Sequence, residues 1–235
     1  MEDKRSENCV RLKSIYISSP NYSLVGMSFF LWYNMMVYDV LRRNCVMETI
    51  VLASGSPRRR ELLSRLSVPF EVITADVDET CSLGAHDAVF ELACRKAKAV
   101  AALCPGRYIL AADTLVSLDD QPLGKPANEE DAASMLRRLS GKTHQVHTGV
   151  CVINPSGTLF ADTDTSDVTF APLSEQAIWD YIATGEPMDK AGAYALQGHA
   201  ALWIPEIRGS SSGIIGLPLF LAGRLLKEAG YPLNV

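Results

Sequence analysis

The run Thr49–Ala53 is apolar and rich in β-branched residues, and it stops without a linker at Ser54-Gly55-Ser56-Pro57. A short apolar run bounded by turn residues reads as a buried strand. Ser56 suits an N-cap and Pro57 the first helical position, so a helix starts at once. Leu62, Leu63 and Leu66 form the apolar stripe of that helix. A buried strand that feeds straight into an amphipathic helix commits the chain to helices layered on a sheet.

The rest of the sequence keeps to that plan. Phe70–Thr74 reads as the next strand. From about Asp87 to Leu103, Phe90, Ala93, Ala97 and Val100 recur at helical spacing, and Pro105-Gly106 ends the helix. Tyr108–Ala112 is a buried strand that runs into Asp113-Thr114, continues extended through Leu115–Leu118, and turns at Asp119-Asp120-Gln121-Pro122. Asn128 caps a helix with Glu129, Glu130 and Asp131 in its first turn, where acids suit the dipole. Met135, Leu136 and Leu139 face inward, and Gly141 stops the helix. His144–Ile153 and Thr158–Ala171 read as a long hairpin joined at Asn154–Gly157. Ser174 caps a helix running through Tyr181, Ala200–Ile207 reads as a strand, and Leu217–Ala229 as the last helix. βα units beside a hairpin predict an α/β fold with a mixed sheet. No linker, repeat or charge block divides residues 47–235, which are taken as one domain.

Residues 1–46 differ in character. They carry a net charge of +2, against −7 for residues 47–235. Their run 22–41 is apolar over about 20 residues, near the length of a membrane span, but Asn34 and Asp39 interrupt it and no small-residue cleavage site follows. The expectation is that Met47 is the natural start and that 1–46 is an extension outside the fold. A poorly packed native extension and a membrane anchor are the alternatives. The six cysteines include no CxxC pair and no zinc-finger spacing, so they read as reduced thiols of a cytoplasmic protein. No stable membrane association is expected. The formal charge of −5 argues against a general nucleic-acid binder. An anionic substrate would need positive charge gathered locally.

Such charge is present. Free N–H groups and the positive dipole end make the 52–60 strand-to-helix loop ready for phosphate, with Ser54 and Ser56 as added donors. Arg58 and Arg59 oppose the dipole there, which a bound anion would explain; a solvated basic helix start is the alternative. The loop lacks the Lys and spacing of a Walker A motif. Asp76, Asp78 and Glu79 follow a strand and could hold Mg²⁺ or merely form an acidic turn. Asp113 closes a buried strand, where a charge without a partner is costly. It could ligate metal, activate a water, or cap the following turn. Lys125, held extended by Pro126, could meet a phosphate. Lys96 lies on a helix beside Lys98, a pair that would ordinarily be solvated. His144 and His147 should point to opposite faces of their strand, which argues against a metal pair. Asp162, Asp164 and Asp167 lack the Gly and Glu of a calcium loop. Arg58, Arg59, Lys96 and Lys125 with Asp78, Glu79 and Asp113 together suit a nucleoside triphosphate carrying Mg²⁺.

LASGSPRR at 52–59, VDE at 77–79, AADT at 111–114, GKP at 124–126, DKAGAYALQG at 189–198 and GLPL at 216–219 resemble the Maf family of nucleoside triphosphate pyrophosphatases, also called septum-formation proteins. The resemblance covers about residues 48–232 and leaves 1–46 without a counterpart. It implies an elongated mixed-sheet α/β fold like inosine triphosphate pyrophosphatase, with a deep cleft, and hydrolysis between the α- and β-phosphates. It assigns Ser54, Arg58, Arg59, Lys96, Lys125 and Lys190 to phosphate binding, Glu79 and Asp113 to a divalent metal (Mg²⁺, with Mn²⁺ as the alternative), and Asp113 to proton acceptance. Arg58, Thr114 and Gln197 match the dTTP/UTP type, whereas the 7-methyl-GTP type carries Trp, Gln and Glu there. A Gln offers both donor and acceptor, as a uracil or thymine edge requires. Pyrophosphatase action on 7-methyl-GTP, or a nucleotide-binding regulator of septum formation, are the alternatives. A homodimer is expected by family analogy. Where the family reads G-S-Y-S-N-V, this chain has Gly209-Ser210-Ser211-Ser212-Gly213-Ile214. The missing Tyr and Asn are expected to weaken affinity or specificity, and the glycines to loosen the loop.

Overall fold

The computed structural model describes residues 47–233. The expectations for residues 1–46, including the apolar run 22–41, lie outside the described residues.

β1 (Ile50–Leu52) leads through the 53–56 loop into α1 (Pro57–Ser64), and β2 (Phe70–Val72) follows. α2 (Ala85–Leu103) is the longest helix described. β3 (Ile109–Leu118) and β4 (Gln121–Leu123) precede α3 (Glu129–Leu139). β5 (Thr143–Ile153) and β6 (Leu159–Thr169) form the long hairpin, followed by α4 (Glu175–Ile182). Three 3₁₀ segments, Glu186–Asp189, Ala191–Ala193 and His199–Trp203, lead to β7 (Glu206–Arg208), α5 (Ser211–Ile215) and α6 (Leu219–Glu228). The seven strands make one mixed sheet in the order β2-β1-β3-β5-β6-β7, with β4 beside the far end of β3. β1 runs parallel to β2 and β3, and the remaining pairs are antiparallel. The mixed α/β sheet is as the sequence predicts.

β3, β5 and β6 are long enough to serve two hydrophobic clusters. At one end Leu52, Leu62, Leu110, Val152 and Leu225 pack α1 and α6 on the sheet. At the other, Leu123, Leu136, Leu139, Phe170 and Ile178 pack α3 and α4. On the opposite face of the first end, Ala93, Ala97 and Val100 of α2 meet Val51, Ala111 and Cys151. Asp113 and Thr114 fall near the middle of β3, between the end clusters. Capping holds as expected at α3 and α4, where Asn128 accepts from the Asp131 N–H at 2.9 Å and Ser174 from Ala177 at 3.2 Å.

Four local expectations are corrected. Asp119 and Asp120 both take positive φ, 51° and 60°, the conformation of a two-residue hairpin turn, so Gln121 and Pro122 already belong to β4. Among the described residues β4 pairs only with β3, an edge position where Pro122 is tolerated. Residues 199–203 form a 3₁₀ helix, and the strand is confined to Glu206–Arg208. Phe90 is exposed while its neighbour Val89 is buried, so the buried face of α2 is set by Val89, Ala93, Ala97 and Val100. The 209–214 loop holds a helix, α5, capped by Ser210 Oγ accepting from the Gly213 N–H at 3.0 Å. A Cβ on Gly213 would lie 2.4 Å from Asp164 Oδ2, so that carboxylate fills the space a larger residue would need. Among the described residues, no helix is long and apolar enough to cross a membrane, and Cys81, Cys94, Cys104 and Cys151 are free thiols.

Candidate functional site

A cleft of about 860 Å³ opens where the centre of β3 faces the β1–α1 loop. Ser54, Arg58 and Arg59 line it from that loop, Glu79 and Lys96 from α2 and the segment before it, and Asp113 and Thr114 from β3. Lys125, Lys190 and Gln197 close it from the second half of the chain. Every residue that the resemblance assigns to the site is therefore in one cavity. A backbone bond from Gly192 N–H to Gly124 O (3.0 Å) ties the Lys190 segment to the Lys125 segment. Gly192 takes φ +68°, a conformation that favours glycine.

Arg59 is half-buried, and three of its five N–H donors are engaged. Nε donates to Gly216 O at 2.8 Å, and the terminal nitrogens donate to Ser54 Oγ at 3.2 Å and Thr114 Oγ1 at 3.1 Å. Burial lowers its pKa, opposed by the Asp113 carboxylate. Thr148 Oγ1 donates to Gly213 O at 2.9 Å and lies 2.9 Å from Thr114 Oγ1. Each hydroxyl carries one hydrogen. Thr148 spends its own on Gly213, so Thr114 donates to Thr148 and accepts from Arg59. Ser54 Oγ accepts from both Arg59 and the Ser56 N–H, the latter at 3.3 Å. Its own hydrogen is left to donate into the cleft.

Lys96 is the electrostatic centre. Its ammonium lies 2.5 Å from Asp113 Oδ1 and 2.7 Å from Glu79 Oε1. Asp113 is 8% exposed, so the lysine supplies the counter-charge that its burial requires. The same hydrogen bond from Lys96 holds the Glu79 carboxyl below its ordinary range. Lys98, by contrast, is exposed.

Not every charged candidate joins. Asp78 accepts from the Thr80 N–H at 2.8 Å in a solvated turn and does not line the cleft, and Asp76 is exposed. Adjacent acids on an extended segment point apart, so Glu79 alone reaches inward. His144 and His147 do face opposite ways: one meets Tyr194 Oη at 2.8 Å, the other Ser117 and Thr165. Asp162 pairs with Arg224, and Asp164 sits against α5. Sequence reasoning passed over Asp189, which lines the cleft and pairs with Lys190. Its place as an acid beside a site lysine was the available signal.

The Maf-like protein family model matches residues 49–229. The dTTP/UTP pyrophosphatase of Geobacillus sp. (strain WCH70) is 47% identical over 188 residues, spanning 79% of this chain and 100% of that protein. The dTTP/UTP pyrophosphatase of Anaeromyxobacter dehalogenans (strain 2CP-C) is 48% identical over 189 residues, spanning 78% and 95%. Among solved structures, the Staphylococcus aureus Ham1 protein gives a TM-score of 0.42 at 19% identity, over 53% of this chain and 72% of that one. The six sequence motifs meet in one cleft, and a family model covers nearly all of the described residues. The chain belongs to the Maf family.

Proposed function

We propose that this chain is a nucleoside triphosphate pyrophosphatase acting on dTTP and UTP, releasing the monophosphate and pyrophosphate. The observation that carries the reading is the Glu79–Lys96–Asp113 cluster at the centre of β3, facing the basic β1–α1 loop across one cleft. Relatives near 47% identity that carry this activity in their names support it. Arg58, Lys125 and Lys190 supply positive charge where a triphosphate would lie, and the free hydrogen of Ser54 can be donated to a phosphate oxygen. Their attraction grows as charge moves onto the leaving pyrophosphate. Asp113 takes a proton from the water that attacks the α-phosphorus.

Glu79 and Asp113 are hard oxygen donors that already converge on one cation, the Lys96 ammonium, so the pair fits a divalent ion. They would hold Mg²⁺, or Mn²⁺ in its place, which supplies neutralisation of phosphate charge. Gln197 would read the pyrimidine edge. Cytoplasmic location, no nucleic-acid partner, no stable membrane association and a homodimeric state go with this reading.

The test is pyrophosphate release by the purified full chain with Mg²⁺ across dTTP, UTP, CTP, GTP, ATP and 7-methyl-GTP. Preference for dTTP and UTP is expected. Preference for 7-methyl-GTP would overturn the substrate, and no release from any would overturn the enzyme.

A further inference from the structure

Gln197 can select a base only if its backbone is fixed, and the structure holds that backbone from both sides. Tyr181, buried on α4, accepts from the Ala195 N–H at 3.1 Å and donates to Glu186 Oε1 at 2.8 Å. Glu186 Oε2 accepts from the His199 N–H at 3.4 Å. Ala195 and His199 stand two residues to either side of Gln197. The carboxylate lies so close over Gly198 that a Cβ there would be 1.8 Å from Oε1, a fit that requires glycine. The backbone carbonyl of Glu186 also accepts from Lys190 Nζ at 3.2 Å.

We infer that Glu186, acting with Tyr181, is a positioning residue for base selection: the pair brackets Gln197 and couples it to the phosphate-side Lys190. The inference rests on the reading, given above, that Gln197 meets a thymine or uracil edge.

The proton count allows no other arrangement. An ionised carboxylate only accepts, so the single Tyr181 hydrogen goes to Glu186 and a phenol lone pair takes the Ala195 N–H. Burial and that bond raise the Tyr181 pKa, which keeps the donor protonated. Neither side chain lines the cleft, so neither touches substrate. Their effect must pass through the 195–199 backbone. Bonds to a charged acceptor are among the stronger ones in proteins, and losing one is expected to cost about tenfold in whatever it positions.

The experiment measures kcat/KM for dTTP and for CTP, together with amide hydrogen exchange over 195–199. It compares the full chain with Tyr181→Phe, Glu186→Ala and Glu186→Gln. Tyr181→Phe keeps the ring contact with Trp203, whose centroid lies 5.0 Å away, and so separates the hydroxyl from packing. In Tyr181→Phe and Glu186→Ala the dTTP-to-CTP ratio is expected to fall about tenfold, with faster exchange at Ala195 and His199. Glu186→Gln keeps one acceptor for the Tyr181 hydroxyl but turns an amide donor toward the His199 N–H, so slow exchange should return at Ala195 and not at His199. Equal losses for dTTP and CTP, or unchanged exchange over 195–199, would overturn the inference. If Glu186→Ala does not fold, Tyr181→Phe decides. A wild-type chain with no preference for dTTP over CTP would sink the thymine/uracil reading of Gln197 instead, and exchange alone would then judge the bracket.

Discussion

Asp113 and His144 are both buried, yet their surroundings give them opposite tasks. Asp113 has a cationic partner and opens to the cleft, so it can hold a negative charge and take a proton from water. Asp113→Asn keeps the shape and an oxygen for Lys96 but removes the base. Turnover is expected to fall about 10²–10⁴-fold. Wild-type turnover in the folded variant would refute the role. His144 is enclosed by Phe170 and Tyr194, and burial pushes its pKa down to about 4. It is neutral in the folded state near pH 7. Between the unfolded value near 6.5 and about 4, the unfolded chain binds a proton that the folded chain does not. Stability therefore drops as pH falls through that window, by about 3 kcal/mol in all, and this contribution is flat above it. His144→Gln keeps a polar partner for Tyr194 without titrating. Urea melts at pH 7 and pH 4.5 should lose distinctly less stability in that variant than in wild type, and parallel losses would count against the buried neutral histidine.

Helix α2 reaches its strand through one missing side chain. A Cβ on Gly149 of β5 would stand 2.2 Å from the Val89 carbonyl oxygen and 2.7 Å from Phe90 N. Backbone cannot yield as a flexible side chain does, so Gly149→Ala must push α2 off the sheet. A loss of about 1–3 kcal/mol or more is expected, read as a lower urea midpoint at unchanged m-value. A variant as stable as wild type would mean that the helix slides freely. Elements with strong local signals were legible in sequence: β3 and β5 from their apolar runs, α3 from Asn128 and its acidic first turn. The 199–203 segment was not, because its apolar residues suit a strand equally well. Tertiary contacts decide it, burying Ala200 and leaving Leu202 exposed. α5 was missed because serine and glycine carry little helical propensity; the Ser210 cap and the Thr148 bond to Gly213 O make it. Within the site, the charges could be read from strand ends and motifs. Glu186 and Tyr181 could not, since their meaning lies in hydrogen bonds that only the fold creates.

At the scale of the whole molecule, the cleft is where the two end clusters of the long strands meet. Ser54 and Arg59 flank Leu52 and Leu62 of the cluster packed by α1 and α6, Lys190 and Gln197 flank Ala191 and Leu196 at the cluster packed by α3 and α4, and Asp113 stands between them. A ligand that touches both sides stabilises the folded chain as one unit, because unfolding either half releases it. At a hundredfold its Kd, such a ligand contributes about 2.7 kcal/mol. For a domain of this size each kcal/mol shifts the midpoint by about 2–4 °C. A non-hydrolysable α,β-imido dTTP should therefore raise the thermal midpoint by about 5–11 °C in a single transition. dTMP lacks the outer phosphates that would reach Lys125 and Lys190, so at equal concentration its shift should be much smaller. Inorganic pyrophosphate cannot engage Gln197 and should also fall short. Equal shifts from all three would mean that binding is confined to the phosphate side. Two separate transitions, only one of them moved by ligand, would show that the long strands do not couple the halves.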